Sequence, residues 1–283
     1  MALKYLVIGS GYIGSYLGFH LPDCKVYKGY IDDEAVLRHL IDTEYPSHVI
    51  INCAGKTGRP NIDWCEDHKA QTFGANVGLP VMIAEVCTKL KRYWMHIGSG
   101  CIYDGYDKEY EETDAPDFTG SFYSKTKIWS QDILSEYAEA CILRIRMPID
   151  EDMQERNYIS KIVKYSRLGR TLLSTPNSMT CLKDMMGAIQ FLAEAGHTGT
   201  WNVVNQGGMT AKEVLDLYRK YMDKKLRYKI DSIENVTKNL KAGRSNCLLS
   251  GKKLAEAGFV MPELKGRIKD ILLEKGLDNR KGK

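Results

Sequence analysis

A glycine motif at the start of the chain limits its possible folds more than any other feature. Lys4 to Ile8 (KYLVI) is a short apolar run that suits a buried parallel strand. GSGYIG follows at once and places Gly9, Gly11 and Gly14 in G-x-G-x-x-G spacing. In that context the first glycine permits a tight turn, the second lets a pyrophosphate approach the backbone, and the third lets a helix pack on the strand. The sequence therefore predicts a dinucleotide site at the N-terminus of the first helix, where free N–H groups attract phosphate.

Apolar runs alternate with helical periodicity after this motif. Further strands are predicted at 24–28, 48–53, 92–98 and 141–147, with helices between them. This order predicts an α/β fold, a Rossmann doubly wound parallel sheet. After residue 150 the pattern loosens, although a helix at 181–195 and a strand at 200–205 are predicted to return to the sheet. We therefore expect an NAD(P)-binding domain over 1–150, with a returning segment near 180–205, and a smaller C-terminal substrate-binding lobe over 151–283.

The end of the second predicted strand bears on which dinucleotide is bound. NAD-binding folds usually place an acidic residue there for the ribose 2′-hydroxyl. Here the strand ends in Lys28, and the acids Asp32 and Asp33 come only after Gly29. A lysine suits a 2′-phosphate, so we expect NADPH, with NADH as the alternative. The other interpretation of Lys28 is a solvated strand end.

The stretch from residue 98 to residue 127 carries the groups that predict chemistry. Tyr123 and Lys127 are four residues apart on a predicted helix, so they share one face. A lysine ammonium one turn away favours the phenolate and lowers the pKa of a tyrosine. Ser99, at the end of a predicted strand, is expected to hydrogen-bond the same substrate oxygen. Such a set reduces a carbonyl, or oxidises an alcohol, beside a nicotinamide, although Tyr-x-x-x-Lys alone is usually only a helix face.

Composition narrows the partners and the compartment. The net charge is +4 over 283 residues with both signs mixed along the chain, which argues against a nucleic-acid partner and leaves room for an anionic small substrate. The eight cysteines are spread singly without a C-x-x-C or Cys/His cluster, so we expect reduced thiols, no metal site and a cytoplasmic setting. The apolar N-terminus fits a strand, turn and helix better than a signal peptide, and no later run predicts a membrane span.

Six longer stretches carry a resemblance to a known family. They are GRPNIDWCEDHK from Gly58, GSGCIYD from Gly98, FTGSFYSKTK from Phe118, LRIRMPI from Leu143, PNSMT from Pro176 and GRSN from Gly243. With the glycine motif, they make nearly the whole chain similar to the extended short-chain dehydrogenase/reductases. Within that family the chain most closely resembles the nucleotide-rhamnose synthase type of epimerase/reductase. The resemblance implies an NADPH-dependent enzyme that turns UDP-4-keto-6-deoxy-D-glucose into UDP-L-rhamnose by 3,5-epimerisation and 4-keto reduction.

The resemblance also implies roles for individual residues. Tyr123 would protonate the C4 oxygen, Ser99 would hold that oxygen, and Lys127 would bind the nicotinamide ribose. Cys101 and Lys161 would take and return the C3 and C5 protons, which are acidic because both carbons flank the C4 ketone. A cysteine thiolate is a credible base when a nearby cation lowers its pKa. From the residues alone, a single cysteine such as Cys101 is more often a small core residue, and Lys161 is equally a solvated helix lysine.

Further contacts follow from the motifs and the resemblance together. The cofactor contacts are Gly9, Gly11, Tyr12, Ile13, Gly14, Lys28, Asn52, Ala54, Gly55, Tyr123, Lys127, Arg146 and Pro148. The substrate contacts are Arg59, Asn61, Thr119, Asn177, Met179 and Arg244. Arg244 would clamp the diphosphate, because a guanidinium forks onto phosphate oxygens. Asn76 would support the catalytic lysine through water, whereas His96 is expected to be structural and Trp64 to lie beside the sugar or in the core.

Two alternative functions stay open at this point. The first is a 4-keto reductase alone, like dTDP-4-dehydrorhamnose reductase, working after a separate epimerase. The second is a non-catalytic NADP-binding regulatory subunit, against which the intact Ser99, Tyr123 and Lys127 set argues. The loop between Cys101 and Tyr123 is shorter than is usual in the family, so the exact sugar can differ from rhamnose. The expected partners are a nucleotide sugar and a second copy of the chain.

Overall fold

A central parallel sheet organises the part of the chain that the computed structural model describes, residues 2–238 and 240–281. The strands are β1 Lys4–Ile8, β2 Cys24–Tyr27, β3 His48–Asn52, β4 Trp94–Ser99, β5 Gly105–Tyr110, β6 Ala140–Ile145, β7 Thr171–Leu173, β8 Gly199–Asn202, β9 Lys229–Asp231 and β10 Cys247–Leu249. Six of them form one parallel sheet in the order β2-β1-β3-β4-β6-β8. Two small parallel pairs, β5 with β10 and β7 with β9, lie outside it.

Helices connect the strands and cover the sheet. They are α1 Tyr12–His20, α2 Glu34–His39, α3 Asp63–Asp67, α4 Lys69–Phe73, α5 Leu79–Lys89, α6 Phe122–Leu134, α7 Tyr158–Arg167, α8 Leu182–Glu194, α9 Ala211–Tyr221, α10 Ile233–Thr237, α11 Lys252–Glu256 and α12 Leu264–Lys281. A π-helical turn at Leu40–Glu44 extends α2, and another at Gly74–Gly78 joins α4 to α5. The helical segment from α4 to α5 therefore contains a wider turn.

Each face of the sheet is covered by its own helices, because side chains alternate along a strand. Tyr5 and Val7 of β1 pack in one apolar cluster with residues of α1 and α8. Leu6 and Ile8 of the same strand pack in another, with residues of α2, α5 and the end of α6. Helices on both faces of a parallel sheet confirm the predicted α/β doubly wound fold.

The sheet order adds a detail that the sequence did not predict. β3 lies directly against the free side of β1, opposite β2, so the order begins 2-1-3 rather than 3-2-1. The short segment between β2 and β3 contains only α2 with its π-helical turn, which leaves no strand to extend that edge. The strand order therefore reverses between β1 and β3, and a ligand of such a sheet is expected at the carboxyl ends of these two strands.

A second core lies in the C-terminal half. It is built by apolar residues of α7, α9 and α12, such as Ile162, Val214 and Ile268. The chain does not stay there: α8 and β8 return to the sheet, and Leu254 of α11 packs with the sheet core. This agrees with the expected returning segment, whereas the domain boundaries themselves stay a prediction.

Neither a membrane-spanning helix nor a metal-binding cluster is found in residues 2–238 and 240–281. No helix there combines the length and the apolar character that a bilayer crossing requires. In the same residues, no three or more His, Cys, Asp or Glu side chains are grouped so that they would hold a metal ion.

Candidate active site

The loops that follow β1 and β3 touch at the carboxyl edge of the sheet. Gly9 has a φ of +102°, and a Cβ atom there would lie 2.7 Å from the backbone nitrogen of Ala54, so only glycine fits. The Ala54 amide donates to Asn52 Oδ1 at 3.0 Å, and the Asn52 amide nitrogen lies 3.1 Å from Nδ1 of His96. Burial holds the pKa of His96 well below its ordinary value, so a neutral ring supports Asn52. These loops form the floor of the expected ligand site.

The N-terminus of α1 is open above this floor. A Cβ atom on Gly14 would lie 1.9 Å from the carbonyl oxygen of Gly9, so helix and loop are in direct contact. Gly11 differs: it is exposed, its φ is −71°, and a Cβ atom there would meet nothing within 4 Å. Because Gly11 is the N-cap and has no side chain, the first N–H groups of α1 are available to a phosphate.

Two side chains fix the start of α6, which carries Tyr123 and Lys127. Ser121 is the N-cap, and its hydroxyl accepts a hydrogen bond from the first turn. Glu66 of α3 accepts a second one from the backbone nitrogen of Phe122 at 2.7 Å. Sequence reasoning did not single out Glu66, since only the tertiary fold brings its carboxylate to this helix end. Both groups set the position of the Tyr-Lys pair.

Tyr123 is a buried phenol, with 8% of its surface exposed. Burial raises the pKa of Tyr123 above its ordinary value, and thiolate charge on Cys101 raises it further. Hydrogen bonding to Ser99 and the positive charge of Arg146 act in the opposite direction. From the sequence, Lys127 was expected to lower the pKa of Tyr123. In the structure, the groups that act to lower this pKa are chiefly Ser99 and Arg146. At neutral pH the Tyr123 hydroxyl is therefore protonated and able to donate its proton.

Lys127 is a buried cation beside the loop that follows β3. Its Nζ donates to the carbonyl of Ile97 at 3.3 Å, and a Cβ atom on Gly55 would lie 3.9 Å from that nitrogen. Burial lowers the pKa of Lys127 from 10.5 to about 8, while thiolate charge on Cys101 and Cys53 acts in the opposite direction. The Lys127 ammonium thus lies between α6, which carries Tyr123, and the loops that form the floor of the expected ligand site.

Asn76 ties the loop after β3 to α6. Its Oδ1 accepts from the backbone nitrogen of Lys56 at 2.7 Å, and its amide nitrogen donates to the Lys56 carbonyl at 3.0 Å. The same nitrogen also donates to Oγ1 of Thr126 at 3.1 Å. Asn76 therefore anchors the loop that faces Lys127 through direct hydrogen bonds, and its support of Lys127 through water stays a prediction.

The turn after β4 presents Ser99 and Cys101 to the tyrosine. The backbone nitrogen of Cys101 donates to Ser99 Oγ at 3.0 Å, and that of Gly100 donates to the carbonyl of Ile145 at 3.0 Å. Cys101 is a half-buried free thiol. Because Ser99 and Cys101 both influence the pKa of Tyr123, the turn lies against the side of α6 that carries the tyrosine.

Lys161 of α7 faces the same group of residues. Burial lowers its pKa, and the guanidinium charges of Arg244 and Arg156 lower it further. Cys101 and Asp63, as anions, act in the opposite direction. Lys161 is therefore within electrostatic reach of Cys101, and a lysine with a lowered pKa releases its proton more readily near neutral pH.

A loop rich in polar groups holds the cations around Lys161. Arg244 donates to Asp63 Oδ1 at 3.0 Å, and Asn61 Oδ1 accepts from the Asp63 backbone nitrogen at 2.8 Å. Arg156 donates to the carbonyl of Gly58 at 3.0 Å. The sequence did not predict a role for Arg156. The only signal available there was an arginine just ahead of a predicted helix.

Comparison with known proteins identifies the family. The RmlD substrate binding domain family matches residues 15–276. The chain belongs to this family. The resemblance to nucleotide-sugar reductases is therefore confirmed, and the RmlD-type chain is an enzyme.

The names of two curated relatives of this RmlD-type chain refer to reactions that form rhamnose. The "Trifunctional UDP-glucose 4,6-dehydratase/UDP-4-keto-6-deoxy-D-glucose 3,5-epimerase/UDP-4-keto-L-rhamnose-reductase RHM1" of Arabidopsis thaliana is 37% identical over 286 residues, which cover 96% of this chain and 41% of the relative. A bifunctional dTDP-4-dehydrorhamnose 3,5-epimerase/dTDP-4-dehydrorhamnose reductase of Arabidopsis thaliana is 35% identical over 290 residues, 96% of this chain and 92% of the relative. The chain thus spans about two fifths of the first relative and nearly all of the second.

Solved structures share the fold of the RmlD-type chain. The L780 UDP-rhamnose synthase of Acanthamoeba polyphaga mimivirus superposes with a TM-score of 0.90 at 30% identity, covering 97% of this chain and all of that one. A dTDP-4-dehydrorhamnose reductase of Bacillus anthracis, solved in complex with NADP, superposes with a TM-score of 0.84 at 19% identity, covering 97% and 100%. The second likeness shows the fold alone.

Three predicted ligand contacts of the RmlD-type chain lie below its surface. Arg146 is 1% exposed, and its guanidinium donates to Gly100 and to neighbouring groups inside the protein. Asn177 is 3% exposed, and its Oδ1 accepts from Arg146. Met179 is fully buried in the second core. These side chains have internal hydrogen-bonding or packing partners, and their assignment to a cofactor or a substrate stays a prediction.

Six other predicted contacts lie nearer the surface. Lys28, Arg59 and Thr119 are exposed, and Tyr12, Ile13 and Pro148 are half-buried. Asp33, one of the two acids weighed for the ribose, caps α2 by accepting from the backbone nitrogens of residues 35 and 36. Trp64 stacks on His68 with ring centroids 3.9 Å apart, so an internal partner occupies one face of its ring.

Proposed function

We propose that the chain is a bifunctional nucleotide-sugar 3,5-epimerase/4-keto reductase that converts UDP-4-keto-6-deoxy-D-glucose to UDP-L-rhamnose with NADPH. The observation that carries the proposal is the turn after β4, which holds Ser99 and Cys101 together through the hydrogen bond from the Cys101 amide to Ser99 Oγ at 3.0 Å and lies within electrostatic reach of Tyr123, Lys127 and Lys161. An acid for reduction and two groups for proton exchange are thus within reach of one substrate. The names of the Arabidopsis relatives contain the same pair of reactions, and the name of the mimivirus synthase contains the same product.

The residues around the glycine motif fit a nicotinamide dinucleotide. The free N–H groups of α1 and the empty space above Gly11 suit a pyrophosphate. Lys28 is exposed at the end of β2, and Asp33 is engaged as a helix cap, so the local charge favours a 2′-phosphate over a free 2′-hydroxyl. A reductase of the same fold has been solved with NADP. We therefore propose NADPH, with NADH as the alternative.

For reduction, the protein supplies the proton and the position of the ketone. When bound, the nicotinamide supplies the hydride that reduces C4. Tyr123 gives its phenolic proton to the C4 oxygen as negative charge develops there, and the Ser99 hydroxyl holds that oxygen. The Lys127 ammonium, below its pKa of about 8, stabilises the phenolate that remains.

For epimerisation, the C4 ketone makes the protons on C3 and C5 acidic. The Cys101 thiolate takes a proton from the carbon, and the electron pair moves to the C4 oxygen as an enolate. Ser99 and Tyr123 hold this oxyanion by hydrogen bonds. The ammonium of Lys161 then returns a proton to the opposite face, which its lowered pKa makes easier. Exchange with water restores both groups.

Replacing Cys101 by alanine tests the epimerase part. With UDP-4-keto-6-deoxy-D-glucose in deuterated water, we expect Cys101→Ala to lose deuterium incorporation at C3 and C5 by about a hundredfold or more, as measured by NMR. Reduction of an already epimerised 4-keto sugar with NADPH is expected to continue, because Tyr123 and Lys127 are unchanged. Cys24→Ala, another partly exposed free thiol, is the control and is expected to leave both reactions unchanged.

The outcome of that experiment separates the alternatives. Wild-type exchange in Cys101→Ala would show that Cys101 is not the base that takes the C3 and C5 protons. Reduction of an epimerised 4-keto sugar by the wild type, without deuterium incorporation above the enzyme-free rate, would leave a 4-keto reductase alone, as in the Mycobacterium tuberculosis dTDP-4-dehydrorhamnose reductase, 25% identical over 116 residues. A wild-type protein that binds NADPH but catalyses neither reduction nor exchange would favour the alternative of a non-catalytic regulatory subunit. The bovine methionine adenosyltransferase 2 subunit beta, 29% identical over 116 residues, is a relative that is named as a subunit of an enzyme.

Two glycines of the motif are expected to respond differently to alanine. Gly14→Ala forces the backbone of α1 away from Gly9, so we expect the free energy of unfolding to fall by about 1–3 kcal/mol in urea titrations. Gly11→Ala meets no protein atom, so its stability is expected to stay near wild type. Its methyl group nevertheless occupies the space proposed for the pyrophosphate, and NADPH affinity in fluorescence titrations is expected to fall. Unchanged NADPH affinity in Gly11→Ala would contradict the proposed cofactor site.

A nucleotide sugar is the proposed partner of the site. The anion-binding group is Arg244 with Arg156, which lie near Lys161 and suit a diphosphate. Assembly into a homodimer and a cytoplasmic setting stay predictions from the sequence.

A further inference from the structure

Arg146 is a buried cation whose partners are all uncharged. One guanidinium nitrogen donates to the carbonyl of Gly100 at 2.7 Å and to Ser245 Oγ at 2.9 Å. The second terminal nitrogen of the guanidinium donates to the Ser245 carbonyl at 3.1 Å and to Asn177 Oδ1. Within residues 2–238 and 240–281, no carboxylate forms an ion pair with it. A buried charge without a counter-ion is costly to stability, so its presence calls for a reason other than folding.

The guanidinium bears directly on the catalytic turn. Gly100 lies between Ser99 and Cys101, and its carbonyl oxygen also accepts a hydrogen bond from the Cys247 thiol at 3.6 Å. A Cβ atom on Gly100 would lie 2.9 Å from Cγ of Arg146, so the turn also rests on the arginine stem. Gly100 therefore joins Arg146 to both residues of the turn.

We propose that Arg146 is a positioning residue that holds Ser99 and Cys101 in place through Gly100. It thereby serves reduction and epimerisation together. The catalytic part of this inference rests on the proposed function, whereas the structural part, the hold on the turn, does not. Independently of the turn, the positive charge of Arg146 lowers the pKa of Tyr123.

A matched control lies two residues earlier in the chain. Arg144 is also 1% exposed, and its guanidinium donates to Gln131 Oε1 at 2.7 Å and lies 5.4 Å from the ring centroid of Tyr103. It makes no hydrogen bond to the turn from Ser99 to Cys101 in the part of the chain that the structure describes. Arg144→Gln therefore reports the effect of losing a buried arginine from the strand that leads to Arg146.

The kinetic arm compares Arg146→Gln, Arg146→Lys and Arg144→Gln. For Arg146→Gln we expect kcat for reduction and the rate of deuterium exchange at C3 and C5 to fall together by about a hundredfold, since the turn carries a residue for each. The dissociation constant of NADPH is expected to stay near wild type, because the Arg146 guanidinium is engaged by Gly100, Ser245 and Asn177. Arg146→Lys keeps the charge and one hydrogen bond, so partial rescue of both rates is expected.

The second arm does not depend on the reaction. Alkylation of Cys101 by iodoacetamide, followed by peptide mass spectrometry, reports the state of the turn in the substrate-free protein. We expect a severalfold change in the alkylation rate of Cys101 in Arg146→Gln and a wild-type rate in Arg144→Gln. If Arg146→Gln does not fold, as judged by thermal melting, the same comparison is made with Arg146→Lys.

The two arms separate the possible failures. A wild-type protein without reductase or exchange activity would sink the proposed function, and the alkylation rates would still decide whether Arg146 holds the turn. A wild-type alkylation rate of Cys101 in the folded Arg146 variants would overturn the inference. A rise in the NADPH dissociation constant with unchanged kcat would also overturn the inference, because it would indicate that Arg146 contacts the cofactor.

Discussion

Replacing Tyr123 by phenylalanine is expected to lower kcat for ketone reduction by about 10²–10⁴-fold. Phenylalanine keeps the buried aromatic ring on α6 and lacks the hydroxyl group whose proton the C4 oxygen requires. NADPH consumption with an epimerised 4-keto sugar measures the loss. Deuterium exchange at C3 and C5 is expected to fall less, because Cys101 and Lys161 are retained and Ser99 still holds the enolate.

A second buried tyrosine provides the control for Tyr123→Phe. Tyr103 is fully buried, and its hydroxyl donates to the carbonyl of Asp114 at 2.8 Å. Tyr103→Phe removes a hydroxyl of similar burial away from the proposed chemistry, so it is expected to change stability without a comparable loss of kcat. Reduction by Tyr123→Phe within about tenfold of wild type would mean that another group donates the proton.

Replacing Lys127 by methionine is expected to stabilise the cofactor-free protein at pH 7 while it lowers reduction. Burial lowers the pKa of Lys127 from 10.5 to about 8, so below pH 8 the folded protein holds an ammonium that is more stable in the unfolded chain. A shift of that size corresponds to a penalty of up to about 3 kcal/mol. Urea unfolding at pH 7 measures the gain in Lys127→Met.

The pH dependence gives the sign of the same effect. Between pH 8 and 10.5 the unfolded chain binds more protons at this lysine than the folded protein does, so this residue makes stability rise with pH across that window. Lys127→Met is expected to abolish this rise. Lys125→Met, an exposed lysine of the same helix, is the control and is expected to change neither. A less stable Lys127→Met protein at pH 7 would show that the buried ammonium is well compensated.

The parts of the fold that repeat a local pattern could be predicted from the sequence. The strand β1 coincides with the apolar run before the glycine motif, and the other sheet strands lie within a few residues of their predicted positions. β5, with the sequence GYDKEY, is mostly polar, and β7 and β9 have three residues each, so none of them gives a local signal. The sheet order depends on which strands pair, and no local pattern encodes it.

The candidate site shows the same division. Tyr123 and Lys127 could be assigned from their spacing, and Ser99 and Cys101 from the motif that surrounds them. Glu66 and Arg156 could not, because they reach the site only through contacts between distant segments. Arg146 was assigned to the cofactor because its motif pointed to the site, but the motif does not reveal depth. The structure shows its burial and its hydrogen bond to Gly100, and neither is encoded in its sequence neighbourhood.

The repeated return of the chain to the sheet has a practical consequence for engineering. The polypeptide passes from the sheet core to the second core after β6, comes back for α8 and β8, leaves again for α9 and returns once more for α11. A fragment cut at residue 150 would lose the helix and the strand that complete one side of the sheet. A substrate-binding half taken from a relative would therefore have to be transplanted as several interleaved inserts, because it is not one exchangeable cassette.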